Sequence, residues 1–465
     1  MEIRKILIVG IPACSCMGNF ERQLGNVAIL TPTITMLKDS FPNAEISTNF
    51  QLSEEFCRRN GIASIKDPAV WSFAPRYLLK SVLNLLRCIL WRLLRKIGLN
   101  VETLISERKL REFAAASVIL DISGDTYSDN FNYIRVIKHS MDLLAARLIG
   151  KPVVLFAQSC GPFKGHPTRS LARLTLNRVN LITTRESLTK DYLQDMGISK
   201  PSIFATACPA FLFDATSKER VEKIFKQEGI SLDNEPLIGL TLCSFNISVN
   251  PMRIIIKNKW LNTMKYFLPK LFYNLVEKRM KSVKSLDTYV AADLMPFVQT
   301  INYLVEKLHA NVLLIPHVYE SESSRYHILS DTGLAEKLYE LTKPDNADKI
   351  KMLRGKYNAE DVKGIIGECD IFISGRMHAA IAGLSQNVPT VGLPYGVKFF
   401  GIFGMLGQDS HVCSSNNADE IISIVNEVWK NKGEISKVLA SKMPEVKKLA
   451  LLNTKLVKDI LNICQ

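Results

Sequence analysis

One stretch of the sequence, Asp370 to Lys398, constrains the fold more than any other because strand and helix patterns alternate within it. Asp370 to Ser374 reads as a short apolar strand, and Thr390 to Leu393 reads as a second one. Between them, Met377 to Leu384 has the pattern of a helix, which Asn387–Pro389 ends. A helix that joins two short apolar strands is typical of parallel pairing. We therefore expect an open α/β sheet in this part of the chain.

Three charged or titratable side chains follow these two strands. Arg376 and His378 come directly after the first strand, and Lys398 comes after the second. The carboxyl ends of parallel strands are where open α/β sheets bind ligands. A guanidinium, an imidazole and an ammonium at that edge suit an anionic ligand that also needs a proton moved. Taken alone, the same residues also fit a salt-bridged arginine, a helix-capping histidine and a surface lysine.

Length and composition set the broad class of protein. A chain of 465 residues, of which 47% are hydrophobic, is long enough for two domains with large cores. Its formal net charge of +14 indicates a polyanionic partner or an anionic membrane face. No stretch reaches the roughly 18 uncharged apolar residues that a transmembrane helix needs.

The first residues of the sequence allow two interpretations. A short basic head and the apolar run from Ile6 to Ile11 resemble a lipoprotein signal, but that run is shorter than the usual core of about 7–15 residues. A first Rossmann-like strand over residues 3–11 explains the pattern better. The ten cysteines are scattered without zinc-ligand spacing. We therefore expect reduced thiols and a cytoplasmic location.

Strands and helices alternate through both halves of the chain, which predicts two Rossmann-like domains over residues 1–215 and 216–465. In the first half, Asp125 follows one predicted strand and is a catalytic candidate, although a turn-forming aspartate explains it equally well. Ser159 follows the next strand, and Arg185 precedes a helix whose N-terminus would attract anions. In the second half, a strand ends at His317, which is either a ligand contact or a satisfied turn histidine.

Two segments are strongly basic. Residues 76–97 form an amphipathic helix that either lies on a membrane or covers the sheet with its apolar stripe, Leu79, Val82, Leu86, Ile89, Leu93 and Ile97. Residues 252–284 interleave basic and aromatic side chains, as at a lipid interface. Single-stranded nucleic acid would suit that composition too. No nucleic-acid fold motif accompanies the segment, so we expect an anionic membrane surface or an acidic polymer as partner, and no nucleic acid.

The segment SGRMHAAIAGLSQNVPTVGLPYGVKFFG resembles the signature of the polysaccharide pyruvyl transferase family. The segments GNVAIL, DISGDTYSD, FAQSCGPF, TTRESLTKDYLQDMGI and LLIPHVY resemble other blocks of that family, in the same order. Together they run from Gly25 to Lys398, and the match is specific by its order and spacing. One departure is Cys208, since the family often has aspartate before this proline.

The resemblance implies a GT-B-like fold with the active site in a cleft between the two domains. It also implies transfer of the pyruvyl group of phosphoenolpyruvate to two sugar hydroxyls, as a cyclic ketal, with release of phosphate. By the resemblance, Arg185, His378 and Lys398 handle phosphoenolpyruvate, and Arg376 belongs to the same motif. His378 has a suitable pKa range for the proton transfers. Asp125 would orient the acceptor hydroxyls or assist proton transfer.

The remaining expectations concern ligands and rival functions. Ser159 and His317 complete the set of substrate-binding candidates. No metal constellation is evident, and we expect no cofactor besides the co-substrate phosphoenolpyruvate. The acceptor is a saccharide, free or lipid-linked, and the protein would be cytoplasmic or peripheral on the inner face of the membrane. Two alternatives stay open, a GT-B glycosyltransferase that uses a nucleotide sugar, and a non-catalytic glycan-binding assembly factor.

Overall fold

The structure is a computed structural model, and it describes residues 3–10, 20–65, 75–130, 133–230, 235–247, 286–319, 327–346, 348–396 and 398–463. The chain divides into two compact units. Unit 1 comprises Met1–Glu21, Leu30–Pro209 and Lys448–Gln465, and unit 2 comprises Arg22–Ile29 and Ala210–Lys447. The predicted basic segment 252–284 lies outside the described residues. Among those described, no helix combines the length and the apolar character that crossing a membrane requires.

Unit 1 is built on a parallel sheet of seven strands in the order β3-β2-β1-β4-β5-β6-β7. Its central strands are short runs of apolar residues that are buried on both faces, as parallel sheets require. The strands are β1 Lys5–Val9, β2 Glu45–Thr48, β3 Ala63–Ser64, β4 Val118–Asp121, β5 Val153–Gln158, β6 Leu181–Thr184 and β7 Ser202–Ala205.

Unit 2 is built on a second parallel sheet, of five strands in the order β10-β9-β8-β11-β12. The register pairs Ile373 of β11 with Leu240 of β8 and with Val391 of β12, so that three predicted strands end at one edge. The strands are β8 Leu237–Thr241, β9 Asn311–Leu314, β10 Ile350–Met352, β11 Ile371–Ser374 and β12 Thr390–Gly392.

Helices connect the strands in both units, as crossovers between parallel strands must. Several begin at side-chain caps, for example at Asn358 and Asn417, whose side-chain oxygens accept backbone N–H groups of the first turn. The helices are α1 Leu24–Ser40, α2 Glu54–Asn60, α3 Pro75–Lys96, α4 Arg108–Ala115, α5 Tyr133–Leu148, α6 His166–Leu176, α7 Ser187–Asp195, α8 Lys218–Glu228, α9 Leu286–Leu308, α10 Asp331–Asn346, α11 Ala359–Gly367, α12 Met377–Leu384, α13 Lys398–Gly404, α14 Ala418–Lys430 and α15 Lys432–Ile463.

The end of the chain belongs to unit 1, whereas the sequence predicted one domain over residues 216–465. Asn453 of α15 is fully buried, and its side-chain nitrogen donates to the Ala207 carbonyl at 3.0 Å. Its side-chain oxygen accepts from the hydroxyls of Thr183 at 2.5 Å and Thr206 at 2.8 Å. These bonds join residues more than 200 positions apart, so no local pattern in the sequence could indicate them.

Helix α3 does not cover the sheet with its apolar stripe, so that interpretation of residues 76–97 is wrong. Leu79, Leu86 and Leu93 of the stripe are each more than half exposed. The opposite side of α3, which includes Ser81 and Cys88, is buried instead. Small side chains on that side allow close packing against the rest of unit 1.

Candidate active site

The carboxyl edge of the unit 2 sheet carries four of the residues that the sequence singled out. His317 follows β9, Arg376 and His378 follow β11, and Lys398 follows β12. Strands β9, β8, β11 and β12 are consecutive in the sheet, so their ends lie side by side. We call these four residues the unit 2 cluster.

Arg376 is held by a carboxylate that the sequence analysis did not single out. Its Nε donates to the Asp331 Oδ1 and Oδ2 atoms at 3.2 and 3.0 Å, and its Nη2 donates to Oδ1 at 2.5 Å. Burial lowers the pKa of the Arg376 guanidinium, but the charge of Asp331 more than offsets this, so that the pKa lies above its usual value. Arg376 is therefore a permanent cation whose charge Asp331 balances, as in the salt-bridge interpretation of the motif.

His317 is buried and uncharged. Burial, reinforced by the positive charge of Arg376, lowers the pKa of its imidazole to about 3. Its backbone N–H donates to Asp331 Oδ2 at 3.2 Å, and its carbonyl accepts from the Leu24 N–H at 3.4 Å. This geometry gives His317 a positioning role, because it ties the Asp331 carboxylate and the start of α1 to the end of β9.

His378 lies in the first turn of α12 and packs against a glycine of α1. A Cβ atom added to Gly25 would lie 2.6 Å from the imidazole Nδ1 of His378 and 2.8 Å from its Cβ atom. Real Cβ atoms do not approach other atoms so closely, so only glycine fits at this position. Gly25 lies inside helix α1 and fixes the space for the imidazole.

Lys398 is buried at the start of α13, beside the ring of Tyr395. Its Nζ atom lies 4.1 Å from the ring centroid of Tyr395, and that ring stacks on Phe245 with centroids 4.8 Å apart. Burial lowers the pKa of the Lys398 ammonium to about 7. The residue therefore changes its charge near neutral pH, whereas the sequence alone suggested an ordinary ammonium.

Asn246 joins the ends of three strands beneath this cluster. Its side-chain oxygen accepts from the Cys243 N–H at 3.0 Å, and its side-chain nitrogen donates to the Leu393 carbonyl at 3.0 Å. A Cβ atom on Gly375 would lie 1.9 Å from the Asn246 oxygen, so the backbone before Arg376 passes directly against this amide. Asn246 thus holds the segments after β8, β11 and β12 in fixed positions.

A second group of candidate residues follows adjacent strands of unit 1. Asp125 comes after β4, Ser159 after β5 and Arg185 after β6. The Ser159 N–H donates to the Gly124 carbonyl at 2.8 Å, and a Cβ atom on Gly124 would lie 3.7 Å from Arg185 Nη1. The structure therefore brings the segments that carry all three residues together. We call Asp125, Ser159 and Arg185 the unit 1 cluster.

A hydrogen-bonded chain orients the guanidinium of Arg185. Its Nε donates to Ser159 Oγ at 2.7 Å, and that hydroxyl donates to Glu186 Oε1 at 2.9 Å. The hydroxyl of Ser159 is engaged on both sides, which gives Ser159 a positioning role. Glu186 also accepts from the Thr189 N–H at 2.7 Å and so caps α7 itself. The Glu186 carboxylate already occupies the N-terminus of α7. The helix N-terminus is therefore not open to an external anion, although the sequence had led us to expect it to be.

A buried carboxylate supports the loop that contains Asp125. Asp121, at the end of β4, accepts from the N–H and hydroxyl of Ser123 at 2.9 and 2.6 Å, and from Gln158 Nε2 at 3.1 Å. It also pairs with the Nε2 atom of His139. These contacts hold the loop after β4 in place, so that half-buried Asp125 has a defined position.

Sequence reasoning missed Asp331, Glu186 and Asp121 as supporting residues. Glu186 had a local signal, since a carboxylate three residues before Thr189 at a helix start is typical of a cap. Asp331 had none, because 45 residues separate it from Arg376 and only the fold brings the two together.

The fold defines a class of protein that solved structures share. The structure is similar to the Anabaena protein Alr3699/HepE in complex with UDP, with a TM-score of 0.55 at 10% identity over 98% of this chain and 99% of that chain. It is also similar to a glycosyltransferase from Rickettsia africae ESF-5, with a TM-score of 0.53 at 13% identity over 99% of each chain. These matches confirm the predicted α/β fold with two Rossmann-like domains of the GT-B-like type.

A further structural match has the same fold and is an epimerase. It is the UDP-GlcNAc 2-epimerase from Neisseria meningitidis bound to UDP-GlcNAc, with a TM-score of 0.54 at 10% identity over 98% of this chain and 100% of that chain. At these identities the likeness establishes the fold alone.

The family is established by sequence. The model of the polysaccharide pyruvyl transferase family matches residues 24–396, and the chain belongs to that family. Amylovoran biosynthesis protein AmsJ of Erwinia amylovora is 20% identical over 362 residues, which are 76% of this chain and 74% of that protein. The family match spans Asp125, Ser159 and Arg185 of the unit 1 cluster and His317, Arg376 and His378 of the unit 2 cluster, and it ends two residues before Lys398.

Proposed function

We propose that this protein transfers the pyruvyl group of phosphoenolpyruvate to two hydroxyls of a polysaccharide sugar, as a cyclic ketal, with release of phosphate. The observation that carries the proposal is the pair His378 and Lys398, which follow adjacent strands of one sheet in a chain of this family. An imidazole and a lysine of near-neutral pKa suit a reaction that moves protons beside an anionic ligand.

The proposed reaction must account for each proton that phosphoenolpyruvate gains and each proton that the sugar hydroxyls lose. One proton goes to C3 of phosphoenolpyruvate, which turns the double bond into a methyl group and makes C2 electrophilic. The first sugar hydroxyl then forms a bond to C2 and loses its proton, the C2–O bond to phosphate breaks, and the second hydroxyl forms the other ketal bond. Of the two protons that the hydroxyls lose, one replaces the proton given to C3 and the other leaves with phosphate.

His378 is the proposed acid and base of these steps. An imidazole can give a proton to C3 and then accept one from a sugar hydroxyl. Its fixed place against Gly25 supports this role, because proton transfer needs the donor atom held within hydrogen-bond reach of the substrate. Asp125 is the proposed residue for orienting the acceptor hydroxyls.

Two cations are proposed to bind the negative charges of phosphoenolpyruvate. The Lys398 ammonium would face phosphate, and the Tyr395 ring would keep water away from it. By the family resemblance Arg185 is the other cation, and its parallel N–H groups suit a carboxylate, since Ser159 and Glu186 hold their orientation. Arg376 is already balanced by Asp331, so we assign it to shaping the cluster and not to the main binding of substrate charge.

The test is incubation of the purified protein with phosphoenolpyruvate and a panel of free and lipid-linked oligosaccharides. Mass spectrometry should detect pyruvyl addition, and phosphate release should match it. His378→Ala should lower turnover by roughly 10²–10⁴-fold while the circular dichroism spectrum stays unchanged. Arg185→Ala should raise the KM for phosphoenolpyruvate.

Two results would contradict the proposal. Sugar transfer from a nucleotide sugar, with phosphoenolpyruvate untouched, would make the protein a glycosyltransferase. Glycan binding with no turnover of either donor would make it an assembly factor. Near-normal turnover by a folded His378→Ala variant would remove His378 from the mechanism.

A further inference from the structure

Helix α3, Pro75–Lys96, presents an apolar face to solvent. The face consists of side chains spaced by three and four residues, which therefore lie in one line along the helix. Their exposed fractions run from 45% at Leu83 to 71% at Ile97. We call this set the leucine face, and its members are Leu79, Leu83, Leu86, Leu90, Leu93 and Ile97.

The opposite side of α3 fixes the helix in this orientation. Ser81, Asn84, Cys88 and Trp91 are buried there. Ser81 donates to Asp142 of α5 at 3.4 Å, and Asn84 donates to Glu107 at 3.3 Å. A rotation of α3 that buried the leucines would expose Trp91 and break these polar contacts. The leucine face is therefore a stable feature of unit 1 that lacks a cover among the described residues.

Positive charge accompanies the leucine face. Pro75–Lys96 contains arginine or lysine at six positions and neither aspartate nor glutamate. Lys80 pairs with Glu107 at 2.6 Å, and Arg92 donates to the Arg147 and Leu148 carbonyls of α5. Arg87 and Lys96 are exposed and lie beside the line of leucines, whereas exposed Arg95 lies over the ring of Trp91 on the other side. Exposed leucines flanked by cations are typical of helices that lie in a membrane interface.

We propose that the leucine face of α3 docks unit 1 on an anionic phospholipid surface. Charge decides between this occupant and a second copy of the chain. Two copies that met through this face would bring their cations together in a low-dielectric contact, which is unfavourable, whereas acidic headgroups neutralise them. The inference does not rest on the proposed enzymatic function.

Vesicle flotation tests this proposal on the full-length protein. The wild type should float with phosphatidylglycerol vesicles at low salt and should not float with phosphatidylcholine vesicles. At about 1 M salt, where the Debye length falls to about 3 Å, binding should weaken strongly. Failure to float with phosphatidylglycerol at low salt would overturn the proposal. Equal binding to both lipids, or binding that salt leaves intact, would overturn the assignment to an anionic surface.

Leucine variants test whether this face is the one that binds. Leu86→Ser with Leu90→Ser should lose flotation, because it removes two apolar side chains from the centre of the face. Leu174→Ser with Leu451→Ser is the matched control, since these leucines are 45% and 52% exposed on other helices of unit 1. Equal loss in both double variants, or in neither, would overturn the assignment to α3.

Charge variants and a local probe give independent readouts. Arg87→Glu with Lys96→Glu should weaken phosphatidylglycerol binding by an order of magnitude or more, since each basic residue near an anionic surface contributes substantially. In Leu90→Trp, brominated lipids should quench more fluorescence than in the wild type, and no extra quenching would contradict burial of this face in lipid.

Light scattering should show that the lipid-free wild type and the leucine variant have the same mass. If the wild type is a dimer and the leucine variant is a monomer, the face binds a second copy of the chain. That result would overturn the proposal.

Discussion

At the scale of single residues, burial changes the chemistry of the lysine in the unit 2 cluster. Lys398 has a pKa of about 7 because burial disfavours its ammonium form. Above pH 7, Lys398 is therefore mostly neutral in the free protein. A phosphate dianion attracts the charged ammonium form and not the neutral amine. Binding of phosphoenolpyruvate should therefore raise the pKa of Lys398 and take up a proton at pH 8.

The pH dependence of binding follows from this linkage. The affinity for phosphoenolpyruvate should fall as pH rises through about 7, by at most about tenfold per pH unit for one linked proton. Calorimetry in buffers of different ionisation enthalpy measures the proton uptake, and Lys398→Met should abolish it. Lys363→Met is a control, because Lys363 is another buried lysine of lowered pKa that donates to the Phe213 carbonyl. Uptake that persists in Lys398→Met would assign the proton to another group.

Also at this scale, the Asp331 carboxylate should matter to stability more than its distance in sequence suggests. Asp331→Asn would leave the Arg376 guanidinium without its balancing charge. The free energy of unfolding should fall by about 3 kcal/mol, the lower end of the range for buried pairs, because Arg376 keeps some exposure. Urea denaturation measures this, and Lys437→Gln, which breaks a fully surface-exposed pair with Glu434, should change little. If Asp331→Asn lowers the free energy of unfolding no more than Lys437→Gln does, the buried pair contributes no more to stability than the exposed one.

At the scale of secondary structure elements, the first turn of α1 defines the place of the His378 imidazole. In Gly25→Ala the new methyl group would occupy the space of Nδ1, so the imidazole must move. A displacement of about 1 Å can reduce turnover by about 10²-fold, and we expect a loss of that order together with a lower thermal stability, because the added methyl group overpacks this site. Gly433→Ala is the control, since an added Cβ there meets no atom within 4 Å. Wild-type kinetics in Gly25→Ala would show that the position of His378 is not critical.

At the scale of the whole chain, the last helix contributes its end to unit 1, which the N-terminal half otherwise forms. Asn453→Ala would leave the hydroxyls of Thr183 and Thr206 and the Ala207 carbonyl without this buried partner. Each lost bond to a buried group costs about 1–3 kcal/mol, and the neighbouring groups share part of the loss. We expect a lower free energy of unfolding for unit 1, measurable by hydrogen exchange at the amides of β6. Unchanged exchange at β6 would contradict a role of Asn453 in holding unit 1 together.

The sequence by itself determined the fold class and the edge at which the candidate residues lie. A helix that joins two short apolar runs, here Ile371–Ser374 and Thr390–Gly392, predicts parallel strands, and the turns after parallel neighbours lie at the same edge of the sheet. For that reason the sequence alone assigned Arg376, His378 and Lys398 to one edge, and the structure adds His317 to it. The family resemblance, carried by ordered blocks, was confirmed over residues 24–396.

Only the tertiary structure decided how those residues are paired and charged. The Asp331 partner of Arg376, the Gly25 contact of His378 and the low pKa of Lys398 all depend on atoms distant in sequence. The same holds for α3, whose periodicity predicted an amphipathic helix but not which side faces the protein. A helical pattern records which side chains share a face, whereas the partner of that face is set by packing. Here packing buried the side with Ser81, Cys88 and Trp91 and left the leucines outside.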